Sequence, residues 1–316
     1  MKRFYRPIGL AIGLIATVLS VIYIASSWRG QDMSTFASPQ AATGLGLGIA
    51  FYVAGVAISA AGWQRLLSGI GVRNPWRELA GIVAVTQIGK YLPGNVAHHI
   101  GRASMAMQRG IGPLALAVTA GTEMLLLMMA SVIVGVTALL LSGVSLAVLP
   151  IQKGDAIIFI VVGTAAAVMG MGALRRFGPL LLARFAPKYT HAFEPNSLPS
   201  ASSMQVAFAC YCLVYLAFGA GIVLMARLLT AGIPQDAWLL VASFALAWTI
   251  GFVTPGAPAG LGVREGVMLL ILGTAYPAAE AAVIVIALRL VTTLGDVVLL
   301  PIGWLLARPA SPHRSQ

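Results

Sequence analysis

The chain has 316 residues, 59% of them hydrophobic and only 9% charged, with a formal net charge of +11. A soluble domain carries about a quarter charged residues, so this composition excludes a water-soluble globular protein and points to a polytopic helical membrane protein. The positive balance then reads as Lys and Arg in cytoplasmic loops. With no basic patch interleaved with aromatics, nucleic-acid binding is excluded.

The apolar run 7–27 is longer than a signal-peptide core and reads as a retained first helix. A Gly- and Ala-rich second helix is expected over 41–67, followed by a basic loop with Arg65, Arg73 and Arg77. Two short pieces, 77–91 and 95–109, flank Pro93-Gly94. Neither crosses about 30 Å of hydrocarbon at about 1.5 Å per residue, so they are expected to form a re-entrant hairpin. Full helices follow over 113–141 and 155–174. The long polar segment 175–202 reads as a cytoplasmic linker, and another span covers 203–229. Pieces 236–253 and 257–273 flank a second Pro-Gly break, and the last helix runs over 278–306 before a short tail, 307–316. Cys210 and Cys212, two apart in a helix, read as inert packing.

The expected fold is therefore all-α: about six full transmembrane helices plus two re-entrant broken-helix hairpins in a single membrane domain. Its halves are 1–174 and 203–306. Lys and Arg gather on one side when both termini are cytoplasmic. Three crossings separate the hairpins, which makes them an inverted repeat, the arrangement transporters use to build a midplane site.

The chemistry concentrates in the two breaks, Gly89–Arg102 (GKYLPGNVAHHIGR) and Gly251–Glu265 (GFVTPGAPAGLGVRE). Pro93, Gly94, Pro255, Gly256, Pro258, Gly260 and Gly262 interrupt helical hydrogen bonding, and an arginine follows nine residues after each leading proline, Arg102 and Arg264. Helix N-termini at 95–99 and 259–263 would present N–H groups to an anion, with Asn95, Lys90 and the two arginines adding donors suited to phosphate. The alternative is that each arginine pairs with a nearby acid or snorkels to an interface. Glu265 either holds Arg264 or meets the cargo. Glu123 is either a proton carrier or an arginine partner, and Glu280 reads as interfacial. Arg289 and Asp296, seven apart, either line a polar cavity together or pair within the last helix. His98 and His99 are expected to line the break. As a metal site they are weak, because neighbouring helical residues point about 100° apart and no further ligand stands at a suitable spacing. No metal or cofactor is expected, and no nucleophile or phosphate-loop motif makes the chain an enzyme.

KYLPGNVAHHIGR, together with GLGVRE after a Pro-Gly break, resembles the paired motifs of the flippase-like membrane family. That family includes the transmembrane region of lysylphosphatidylglycerol synthases, the multiple peptide resistance factor proteins, and stand-alone relatives. The resemblance runs from the first helix to the last. It implies movement of a lipid with a polar, phosphate-containing head between leaflets of the bacterial cytoplasmic membrane. Its motif positions are Lys90, Tyr91, Pro93, Gly94, Asn95 and Arg102, then Pro255, Gly256, Gly260, Gly262, Arg264 and Glu265. The synthases carry a further C-terminal soluble domain. With the last residue at Gln316, the expectation is a stand-alone member whose cargo is an aminoacyl-phospholipid, a polyprenyl-phosphate sugar or a similar lipid. Two alternatives stand beside it. One is a non-transporting partner of a lipid-synthesising enzyme or glycosyltransferase; the other is an intramembrane lipid-modifying enzyme with Glu265 or Glu123 as base. The small-residue helices permit a homodimer.

Overall fold

The computed structural model describes residues 36–91, 97–144, 198–230, 236–254, 260 and 262–307, with isolated helical positions between 162 and 176. The expected first helix, most of the expected helix over 155–174 and linker 175–202, Asn95, and the break residues Pro93, Gly94, Pro255, Gly256 and Pro258 lie outside the described residues. Eight α-helices and no strand occur among the described residues. They are α1 (Pro39–Ser68), α2 (Trp76–Thr86), α3 (Ala97–Met107), α4 (Pro113–Ser142), α5 (Ala201–Leu229), α6 (Ala237–Val253), α7 (Val263–Leu272) and α8 (Ala278–Leu306). α1, α4, α5 and α8 are long and apolar enough to cross a membrane. Their 29 or 30 residues extend about 45 Å at the α-helical rise. Side chains such as Leu213, Leu270 and Val297 are exposed on the outside of the bundle, as lipid-facing positions are.

Local chemistry sets where these helices begin. Ser38 accepts a hydrogen bond from the Ala41 N–H at 3.1 Å and precedes Pro39. Ser200 caps α5 through the Ser203 N–H, and Asp236 caps α6 through the Leu239 N–H. Two boundaries differ from expectation. The piece expected over 77–91 is α-helical only to Thr86 and then tightens to a 3-10 turn, Gln87–Tyr91. The piece expected from residue 257 starts as an α-helix only at Val263. Gly260 and Gly262 have φ of 68° and 79°, left-handed conformations that a right-handed helix cannot contain.

The long helices pack through a seam of small residues. Gly48, Gly55, Gly62 and Gly69 recur every seven residues on α1 and its C-cap, the period of a left-handed helix pair. A Cβ at Gly55 would enter the Phe218 ring, one at Gly62 would stand 2.7 Å from Tyr211, and one at Gly69 2.7 Å from Ser203. Those partners run backward along α5, so the two helices are antiparallel, and the Ser200 N–H donates to the Gly69 carbonyl at 3.2 Å where they meet. α4 is joined to α6 by hydroxyls. Ser131 donates to the Ala245 carbonyl and accepts from Thr249, both at 2.5 Å, bonds that cost little to keep dry because each hydroxyl has a partner.

The two short-helix pairs each close on themselves. Glu78 in the first turn of α2 makes an ion pair at 2.9 Å with Arg109, just beyond α3. The same arginine donates to the Ala307 carbonyl at the C-terminal end of α8. On the other pair, the Asp236 N–H before α6 donates to the Tyr276 hydroxyl beyond α7, immediately before α8 begins. The ends of the first pair thus meet beside one end of α8 and the ends of the second beside the other.

α2 lies almost backbone-to-backbone on α8. A Cβ on Gly81 would collide with the Ala307 backbone, and one on Gly303 would sit 2.8 Å from the Val85 nitrogen. No rotamer change relieves a clash with backbone. Gly303→Ala is expected to lower stability by about 1–3 kcal/mol, as overpacking does, while Gly46→Ala, which meets nothing within 4 Å, leaves the unfolding midpoint unchanged or raised, alanine being the better helix former. Thermal unfolding of the detergent-purified variants checks both.

Candidate functional site

All eight helices line one cavity of about 220 Å³. One wall is aromatic. Tyr52 stacks on Phe218 at 5.3 Å between centroids, Phe218 meets Phe244 edge-on at 5.4 Å, Tyr215 meets Trp248 edge-on at 5.7 Å, and Trp248 stacks flat on Phe252 at 5.2 Å. The other wall is charged, with Lys90, Arg102, Arg264 and Arg289 as cations and Glu123 and Glu265 as carboxylates. Charges at this depth are costly unless paired, so their pairing decides what the cavity can bind.

Three pairs account for most of the charge. Lys90 Nζ lies 2.8 Å from Asp296 Oδ2, and Asp296 is 1% exposed. Tyr52 closes this group, donating to Asp296 Oδ1 at 2.6 Å and accepting from Lys90 at 2.8 Å. Arg102 lies 2.8 Å from Glu123, with its guanidinium 3.7 Å from the centroid of the Trp63 ring. The N–H bonds of Arg102 Nη2 are not directed at that carboxylate, so the contact is electrostatic and the donor remains unused. Trp63 is itself held by Thr119, which accepts from its indole N–H at 3.2 Å. The third pair joins Arg289 Nε to Glu265 Oε1. Glu265 Oε2 reaches back to the Gly262 N–H at 2.7 Å, capping its own helix.

Arg264 is the cation left over. Among the described residues no carboxylate lies within ion-pair distance of it, and its buried Nε has no hydrogen-bond partner. Its stem passes between two glycines: a Cβ on Gly251 would stand 2.5 Å from Arg264 Cγ, and one on Gly260 2.8 Å from Nε. The guanidinium carbon faces Trp248, 5.7 Å from the ring centroid.

Several expectations are corrected by these pairings. Arg102 and Arg264 are not an equivalent pair of free donors, because Arg102 is neutralised by Glu123. Of the two readings of Glu123, the arginine partner is borne out. Glu265 makes no ion pair with Arg264: successive helical side chains diverge by about 100°, which turns it toward Arg289, while it still lines the cavity. Arg289 and Asp296 share a face of α8 but sit about two turns apart and pair with different elements. The N-terminus of α7 already holds a carboxylate, that of Glu265, where an exogenous anion was expected. His98 and His99 both line the cavity, and their rings lie against each other at 3.8 Å instead of diverging. Glu280 lies in the first turn of α8, outside the cavity lining, with Oε2 buried and unpartnered. Trp63, Trp248 and Gly251 escaped sequence reasoning. Gly251 stood inside the quoted motif, but only the folded chain shows that its missing side chain makes room for Arg264.

Long apolar helices around a charged, aromatic-walled cavity define a helical, multi-pass membrane protein. The description matching this chain is the lysylphosphatidylglycerol synthase transmembrane region, over residues 8–299, and the chain belongs to that family. No curated protein matches it.

Proposed function

We propose that the chain is a lipid carrier of the bacterial cytoplasmic membrane that moves a phospholipid-type lipid between leaflets, its phosphate at Arg264 and its tails in the bilayer. The observation that carries this reading is Arg264 itself, a cavity-facing guanidinium without a carboxylate partner in a bundle of membrane-length helices. An unpaired buried cation is costly, and a bound phosphate oxygen would offset that cost with charge-assisted hydrogen bonds. The aromatic wall beside it suits the apolar part of the same molecule.

The two short-helix pairs are re-entrant hairpins entering from opposite faces, an inverted repeat. In support, the ends of each meet at opposite ends of α8. Arg65, Arg73, Arg77 and Arg109 lie toward the first hairpin's open end, which supports a cytoplasmic location for that end. The repeat has a charge-swapped core. Arg102 on α3 pairs with Glu123 on the following long helix, whereas Glu265 on α7 pairs with Arg289 on the following long helix. That swap is what strands Arg264, the positional counterpart of Arg102. The two acids that could serve as an intramembrane base, Glu123 and Glu265, are each paired with an arginine, which favours a carrier over a catalyst.

The purified full-length chain, reconstituted in phosphatidylcholine vesicles with a trace of tail-labelled phosphatidylglycerol, is expected to expose inner-leaflet label to dithionite faster than protein-free vesicles do. Equal rates would overturn the carrier reading.

A further inference from the structure

We propose that the cavity selects a lipid whose head carries one negative charge, an ionised phosphodiester, with an uncharged hydroxylic extension and no ammonium group. The inference rests on the carrier reading and names the class of its cargo.

The charge balance of the cavity carries the argument. Among the described residues, the cavity is lined by four cations and by two carboxylates, with Asp296 just behind them: Asp296 is matched by Lys90, Glu123 by Arg102 and Glu265 by Arg289, leaving the charge of Arg264 unmatched. The break segments 92–96 and 255–259 contribute no ionisable side chain. One monoanion brings the site to neutrality. A dianion would overshoot, and a head that adds an amine to its phosphate would place a further cation among four. Such an amine would find no free carboxylate in the described lining, because each of the three already holds a cation. Breaking a buried pair to free one would cost about 3–5 kcal/mol.

The unsatisfied hydrogen-bonding atoms agree. Arg264 Nε and Arg289 Nη2 are buried donors without hydrogen-bond partners, and a phosphodiester has two unesterified oxygens to receive such bonds. His98 Nδ1 is likewise unpartnered, and with Gln87 it lines the same cavity. Both side chains can exchange hydrogen bonds with glycerol or sugar hydroxyls. Lysylphosphatidylglycerol, whose two amines outweigh its one phosphate and give a net positive charge, is thus the wrong complement for this chain, although the family description names it.

Tail-labelled phosphatidylglycerol, lysylphosphatidylglycerol and phosphatidylethanolamine, each at trace level in phosphatidylcholine vesicles containing the full-length chain, test this directly. Phosphatidylglycerol is expected to cross at least about tenfold faster than either amine-bearing lipid, the rate ratio of a barrier difference near 1.4 kcal/mol. Arg264→Gln is expected to abolish that ranking and Arg264→Glu to reverse it, with folding checked by size exclusion. Lysylphosphatidylglycerol moving as fast as phosphatidylglycerol, or faster, would overturn the charge selection while leaving the carrier reading intact. If no lipid moves above the protein-free rate, the carrier reading fails, and native mass spectrometry of the detergent-purified chain decides the ligand class. Preferential retention of phosphatidylglycerol supports the inference; equal or greater retention of the lysyl lipid overturns it. Inorganic phosphate that displaces the lipid at equal concentration would assign the site to a soluble anion and overturn the lipid part.

Discussion

Replacing Arg264 by alanine is expected to reduce lipid movement to the protein-free rate while leaving thermal stability unchanged or raised. The two readouts together separate function from structure. An arginine in an ion pair stabilises the fold, so deleting it leaves a buried carboxylate alone and lowers stability. Arg264 has no carboxylate partner among the described residues, so its removal relieves a desolvation cost and strands nothing. Arg264→Lys is expected to recover only part of the rate, because a single ammonium cannot reproduce the planar fork of donors that fits a phosphate. Gly251→Ala keeps the charge but pushes on Arg264 Cγ, 2.5 Å from the added carbon, and is expected to slow movement without abolishing it. Dithionite accessibility in vesicles and the unfolding midpoint in detergent are the measurements. A large loss of stability in Arg264→Ala would show a structural role.

Asp296→Ala has the opposite signature, with a loss of about 3–5 kcal/mol in stability expected from an uncompensated Lys90. Asp296 is 1% exposed and receives both Lys90 Nζ and the Tyr52 hydroxyl, which ties the first hairpin and α1 to α8. Lys90→Met combined with Asp296→Leu is expected to recover much of that stability, since apolar residues of similar volume often replace a buried pair at little cost. The two positions should therefore couple strongly in a double-mutant cycle. Additive effects in the unfolding of the two single variants and the double variant would contradict the pairing.

The long helices were legible because their limits are written in local chemistry. The apolar runs placed four starts at 41, 113, 203 and 278, within two residues of the helices' own starts, where Ser38, Gly112, Ser200 and Pro277 stand as N-caps. The interruptions were legible from Pro and Gly alone. Their lengths were less so, since nothing local announces that Gln87–Tyr91 winds as a 3-10 turn. Pairing was not legible, because it depends on which helices face one another. Glu265 is adjacent to Arg264 in the chain yet meets Arg289, 24 positions further on. Lys90 meets Asp296 across more than 200 residues. Spacing told which residues share a face of α8 and gave no information on what stands opposite that face.

The attachment of both short-helix pairs to α8 has a mechanical meaning. Arg289, in its first half, is bound to the second pair. Asp296 and Ala307, further along, are bound to the first. The helix is thus a common beam with a load at either end. A tilt that relaxes one attachment strains the other, so the two ends of the cavity cannot be loosened independently.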